Sequence, residues 1–272
     1  MRVTSDDGVR TAFEVVGSGP PLVLLHGFFG GWCNVAGGRL CPRARRGHRL
    51  VLVDARGHGG SDAPHDVDCY RIDRQVGDVV AVLNALDISR VAFWGASMGG
   101  IIGLNLLAGH PERLTALIAG GAHGGPVAAA PADVQQEVGL FRSRGTAPFI
   151  EMLEREGPLP AWMRAAMQAA DPHALAALTA ALDARDGVLE RLVQTPVPVL
   201  LLAGDRAPRL RSVQDTAARI SGSTCVELPG CGHFDTFLRL DLALPVVRPF
   251  LARRRLGEPV KVGKVVRRAP VR

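Results

Sequence analysis

A doubly wound, mostly parallel α/β sheet carrying a small helical cap is the fold class that this sequence predicts. Three observations carry the prediction. Short, almost continuously apolar runs recur along the chain. Segments of helical period separate them, and one stretch of about 70 residues holds helix-type sequence alone.

Six runs read as strands: 21–27 (PLVLLHG), 49–57 (RLVLVDARG), 90–97 (RVAFWGAS), 114–121 (LTALIAGG), 197–205 (VPVLLLAGD) and 223–230 (STCVELPG). Their apolar residues do not alternate with polar ones, as expected of strands covered on both faces. Between them, 71–86 places Ile72, Val76, Val79, Val80 and Leu83 on one helical face, and 98–108 begins directly after a strand. Two further helices fall at 209–220 and 241–254, the last expected to be bent or interrupted by Pro245 and Pro249. The exception to the rhythm, 124–194, is rich in Ala, Leu and Pro and contains EMLERE, PAWMRAAMQAA and PHALAALTAALDARDGVLERLV. The expected organisation is a core of 1–121 and 195–251, a helical cap inserted at 122–194, and a basic tail at 252–272.

With 272 residues, 47% of them hydrophobic, the chain can bury one large core. The formal net charge of +6 suggests nucleic acid at first sight. It is local, however. From Ala252 to Arg272 six Arg and two Lys face one Glu, so the rest of the chain carries about −1. That pattern describes a solvated tail rather than a basic binding face, and no nucleic-acid partner is expected. No window approaches 18 apolar residues, the polar start MRVTSDDGVR lacks the core of a secretory signal, and the five cysteines form no CxxC pair. A cytoplasmic protein with reduced thiols, off the membrane, is the expectation, with a homodimer as one option. No metal triad, dinucleotide fingerprint or phosphate-cradling loop appears, so no cofactor is expected.

Three motifs carry chemistry. Gly95-Ala96-Ser97-Met98-Gly99-Gly100 fits G-x-S-x-G and lies between an apolar strand and a helix. A serine on such a turn has its hydroxyl presented at the sheet edge beside the helix amides, and its neighbours two places away must be small. His26-Gly27-Phe28-Phe29-Gly30-Gly31 follows a strand directly, which suits it to aim a backbone N–H at a developing oxyanion. The Phe28 and Met98 amides are the expected pair. Gly230-Cys231-Gly232-His233-Phe234 follows the last of the six predicted strands and places His233 as general base for Ser97. His58 reads as structural, and Phe29, His123 and Trp162 are candidate pocket residues. Taken singly, each motif also has a bland reading as a glycine-rich turn.

Together HGFFGG, DARGHGGSD, GASMGG and GCGHF, in this order, resemble the α/β-hydrolase fold superfamily over roughly residues 10–251. The resemblance implies a serine nucleophile, an oxyanion hole from Phe28 and Met98, and His233 as base. It also implies an acid three places after the glycine that ends the strand VPVLLLAG. That place holds Ala207, while Asp205 stands one place after Gly204. The other usual location, after LTALIAGG, offers no carboxylate either. Three arrangements remain open: Asp205 reaching His233 through a loop shift, Asp235 substituting, or a Ser–His dyad with no acid. Haloalkane dehalogenases and epoxide hydrolases of this fold use an aspartate nucleophile, so Ser97 directs the expectation to acyl chemistry on a small apolar ester or related compound. A non-hydrolytic enzyme on the same pocket, or a small-ligand-binding protein without catalysis, are the alternatives.

Overall fold

The computed structural model describes residues 1–31, 47–127, 129–155, 157–255 and 266–267. Its strands are β1 (Arg2–Thr4), β2 (Arg10–Val16), β3 (Pro21–Leu25), β4 (Arg49–Val53), β5 (Val91–Ala96), β6 (Leu114–Gly120), β7 (Val199–Gly204), β8 (Thr224–Leu228) and β9 (Val266–Arg267). They form one sheet in the order β1-β2-β4-β3-β5-β6-β7-β8-β9. From β4 to β9 neighbours run parallel, and β1 and β2 add an antiparallel edge.

The helices are α1 (Ile72–Ala85), α2 (Met98–Gly109), α3 (Pro131–Arg144), α4 (Ala147–Glu154), α5 (Ala161–Ala169), α6 (Pro172–Asp183), α7 (Leu189–Leu192), α8 (Leu210–Arg219), α9 (Asp235–Leu238) and α10 (Leu240–Arg255). The continuous apolar runs of the strands divide by period two between two cores. Val23, Leu25, Val51, Val53 and Phe93 point to one face, where they meet Val79 and Leu83 of α1, Ile101 and Leu104 of α2, and Val213 of α8. Leu22, Leu24, Leu50, Leu52 and Trp94 point to the other, against Leu240, Ala243, Leu244, Val247 and Leu251 of α10. Five such side chains buried on α10 offset the backbone hydrogen bonds that its two prolines remove. The helix therefore runs through Pro245 and Pro249 without a break, which corrects any expectation of an interruption.

Strands β1 and β2 were not among the six expected. Their residues are only partly covered, with exposed positions at both ends of the short β1 and at Arg10 and Glu14 of β2, so no long apolar run marks them. Helices α3 to α7 all fall between β6 and β7, where the helix-only stretch lies. No helix among the described residues is long and apolar enough to cross a membrane. Cys69, Cys225 and Cys231 are free, whereas Cys33 and Cys41 lie outside the described residues, as does most of the basic tail. Two tail residues, Val266 and Arg267, pair with Val226 and Glu227 of β8.

Candidate active site

The sheet order sets the place. From β3 the chain passes to β4 on one side, then returns through α1 to β5 on the other. The carboxyl ends of β3 and β5 therefore flank a topological switch point, the crevice where open α/β sheets bind ligands. HGFFGG leaves β3 there, and Ser97 leaves β5 there.

Ser97 has φ 48° and ψ −109°, a strained left-handed conformation for a residue with a side chain. The turn is held by the Ser97 N–H bond to Gly120 O (2.7 Å) and the Gly99 N–H bond to His26 O (3.1 Å). It is also tight. A Cβ at position 95 would stand 2.2 Å from Gly99 O, and one at position 99 would stand 2.3 Å from Leu25 O. Glycine is thus required at both ends of G-x-S-x-G by contact with neighbouring backbone, as the motif demands.

The bond from Gly99 to His26 clips the start of α2 onto the end of β3, which brings the two expected oxyanion donors into one loop cluster. Neither the Phe28 nor the Met98 N–H has a backbone acceptor among the described residues, and both residues line the same cavity as Ser97. Two buried histidines brace this cluster. His26 Nε2 accepts from the Ala55 N–H (3.0 Å) while its Nδ1–H donates to Gly27 O (2.7 Å), a neutral tautomer that burial holds down to a pKa of about 3. His58 Nε2–H donates to Phe28 O at 2.6 Å, fixing the very peptide plane that follows the Phe28 amide. The structural reading of His58 agrees with this contact.

His233 arrives from the loop between β8 and α9 and places Nε2 2.9 Å from Ser97 Oγ. With the hydroxyl donating to Nε2, the ring proton sits on Nδ1. Among the described residues no carboxylate accepts it. Asp205 Oδ1 instead accepts from the Cys231 N–H (3.2 Å). The carboxylate stays one residue past β7 and ties down the histidine loop at its backbone, which corrects the expectation of a loop shift towards the ring. Asp235 Oδ2 accepts from the Gly232 N–H (2.7 Å) and likewise holds loop backbone. Ala207 is buried, 8% exposed. Burial, with the nearby Arg209 guanidinium adding to it, pushes the His233 pKa down to about 4. That depression amounts to roughly 3 kcal/mol against the imidazolium relative to water.

Ser97 and His233 open into a cavity of about 1360 Å³. Phe28, Phe29, Met152, Trp162 and Met163 line it, whereas Met167 is packed in the core. His123 does not line it. It lies against a separate pocket of about 640 Å³ beside Thr216 and Arg219, and burial together with Arg185 and Arg209 lowers its pKa to about 4. The wall is less apolar than the composition of 122–194 suggests. Glu137, Asp183, Arg185, Arg206 and Arg209 all line it. Sequence reasoning passed over these five because each lies in or beside a helical segment where a charge normally faces water. Among the described residues no group of three or more His, Cys, Asp or Glu could hold a metal ion.

The family model described as the alpha/beta hydrolase fold matches residues 20–240, and the chain belongs to that family. It is 36% identical over 110 residues to bifunctional epoxide hydrolase 2 of Sus scrofa, an alignment covering 40% of this chain and 20% of that protein. It is 37% identical over 118 residues to 2-hydroxymuconate semialdehyde hydrolase of Pseudomonas sp. (strain CF600), covering 43% of this chain and 41% of that one. The chain thus spans well under half the length of either relative. The crystal structure of an enol-lactonase from Burkholderia xenovorans LB400 superposes with a TM-score of 0.81 over 93% of this chain and 100% of that one, at 23% identity, a likeness of fold.

Proposed function

We propose that the protein is a serine hydrolase of a carboxylic ester or related acyl compound, working through a covalent acyl-enzyme with a Ser97–His233 dyad and a helical cap over the cavity. The observation that carries this reading is the 2.9 Å contact between Ser97 Oγ and His233 Nε2 at a strained serine turn. Ser97 Oγ bonds to the acyl carbon as its proton passes to Nε2, and the carbonyl electron pair moves onto oxygen, facing the Phe28 and Met98 amides. Collapse expels the alkoxide, which takes the proton from Nε2. A water then repeats the sequence on the acyl-enzyme: its proton goes to Nε2, its oxygen to the acyl carbon, and Ser97 regains the proton as it leaves. The sum is ester plus water to acid plus alcohol.

The serine favours acyl substrates over the epoxide that the name of the first relative indicates, since in the superfamily that chemistry belongs to an aspartate nucleophile. An imidazolium without an acid suits activated acyl groups with good leaving groups, because less proton transfer is then required of His233. Fluorophosphonate labelling read by intact mass tests the reading. Modification of the wild type at one site, lost in Ser97→Ala together with p-nitrophenyl ester turnover, is the expected result. An unlabelled wild type that still binds small ligands would replace the hydrolase with a binding protein.

A further inference from the structure

Helix α6 ends at Asp183, and two residues on stands Arg185. Its side chain folds back over the helix terminus, where Nη1 donates a long bond to Leu182 O (3.4 Å), the negative end of the helix dipole. The residue is 8% exposed and lines the cavity that holds Ser97 and His233. Its Nη2 is buried with no hydrogen-bond partner. No ion pair joins it to Asp183 or Glu137, which line the same cavity. A buried guanidinium stays charged, and leaving one of its donors unmet in a protein wall is costly. Native proteins carry few such groups away from ligand sites.

Its surroundings define what would complete it. Burial first, and the nearby Arg209 second, lowers the pKa of both Arg185, to about 10, and His233, to about 4, while Asp183 acts on Arg185 in the opposite sense. Two like charges held near each other in a cavity are relieved by an anion between them. Asp183 interacts electrostatically with both arginines and Glu137 with Arg209, but neither carboxyl makes an ion pair with Arg185. A planar guanidinium with an unmet Nη2 matches a carboxylate better than any other common anionic group of small acyl compounds. Phe29, Trp162 and Met163 supply an apolar wall in the same cavity for the carbon chain.

The geometry points to Arg185, supported by Arg209, as a carboxylate-binding subsite of this cavity: the acyl substrate carries a free carboxylate remote from the bond that is cleaved. This rests on the reading of Ser97 and His233 as an acyl-transfer pair. Arg185 here is a specificity residue and takes no part in bond making. It gives the enzyme a hemi-ester or other acidic acyl compound to recognise, in place of the wholly apolar ester that composition suggests. Bound there, the substrate's negative charge also offsets Arg209 beside His233, so binding and proton transfer are coupled.

The test compares p-nitrophenyl hydrogen adipate with its methyl ester, p-nitrophenyl methyl adipate, two substrates that differ in the remote charge alone. The expected kcat/KM ratio of acid to methyl ester is roughly 10–100 in the wild type and falls to within a few-fold of one in Arg185→Met. Arg185→Lys, which keeps the charge without the fork, falls between them. A wild-type ratio near one, or a ratio that persists in Arg185→Met, overturns the subsite. If neither ester is turned over, it is the acyl-transfer reading that has failed, and calorimetric titration of wild type and Arg185→Met with adipate decides the subsite alone. Adipate binding weakened tenfold or more in the variant sustains it, and no binding of adipate to the wild type sinks it. A cooperative thermal melt for each variant guards against loss of fold.

Discussion

Asp205 Oδ1 accepts the backbone N–H of Cys231 at 3.2 Å, two residues before the imidazole that it would have to reach as a catalytic acid. One carboxylate thus ties the end of β7 to the loop carrying His233, and it acts on that loop's position rather than on its tautomer. The consequence is an asymmetry between variants. Ser97→Ala and His233→Ala should each lower kcat for an activated ester by about three orders of magnitude or more, as loss of a nucleophile or its base does. Asp205→Ala should lower it less than about tenfold and cost about 1 kcal/mol of stability, the worth of one hydrogen bond. Steady-state kinetics and urea denaturation of the three variants check this. A thousandfold loss in Asp205→Ala, with the fold intact, would show that the carboxylate serves the ring after all.

Ala207 occupies the place where the superfamily pattern puts the acid, and it is buried. Ala207→Asp should therefore supply the missing acceptor for Nδ1–H. A carboxylate there favours the imidazolium, so the His233 pKa should rise from about 4 towards or beyond 6.5. Turnover of unactivated alkyl esters should rise by roughly tenfold or more, since those demand most from the base. Turnover of p-nitrophenyl esters should change less. NMR titration of His233 together with kcat on both ester types measures it, and an unmoved pKa would show that the added carboxyl points elsewhere.

The same depressed values fix the response to pH. His233 acts as a base only when neutral, so kcat/KM should stay level from about pH 8 down to about 5 and fall only as the pH drops through about 4. Stability changes over a higher window. His26, His123 and His233 are neutral in the fold down to about 3, 4 and 4, whereas the unfolded chain protonates them near 6.5. Between those limits the unfolded state binds more protons, and stability rises with pH there. Each of the three adds up to about 1.4 kcal/mol per pH unit, with the raised carboxyls of Glu137 and Asp183 acting in the opposite sense. Denaturation midpoints taken from pH 4.5 to 7 should therefore increase, and flatten above 7.

Much of this was legible in the sequence because backbone contact leaves a mark on composition. Gly95 and Gly99 are demanded by carbonyl oxygens within 2.3 Å of a would-be Cβ, and a chain that meets such a demand shows G-x-S-x-G. The parallel strands show as apolar runs because both of their faces are buried. What stayed hidden depends on long-range packing. The antiparallel edge strands β1 and β2 are covered only in part, so their pattern is mixed. Arg185 reads as a surface charge after a helix, and only the way α6 lies against the cavity buries it. His123 has a strand-end position like that of His233, yet the turn after Gly120 sends it to the other pocket.

Arg56 is the largest of these hidden features and yields the last prediction. In sequence it is the third residue of DARGHGGSD. In the fold its side chain is wholly buried, with Nε 2.7 Å from Asp78 Oδ2, Nη2 2.8 Å from Asp78 Oδ1 and Nη1 2.7 Å from Asp7 Oδ2. Asp78 belongs to α1, and its Oδ1 also accepts from the Ser5 hydroxyl next to β1, so this one guanidinium joins the amino-terminal edge to the helix layer. Removing Asp78 breaks the bidentate half of a buried ion network and leaves Asp7 alone to balance the guanidinium, which costs about 3–5 kcal/mol, whereas an exposed pair such as Arg10–Asp62 is worth less than about 1 kcal/mol. Asp78→Ala should thus lower the melting temperature by roughly 6–20 °C, and Asp62→Ala by no more than a few degrees. Arg56→Met with Asp78→Leu should recover part of the loss, because the two charges then disappear together. Calorimetry on the single and double variants checks the ordering. A double variant less stable than Asp78→Ala would mean that the bidentate pair contributes more than its desolvation costs.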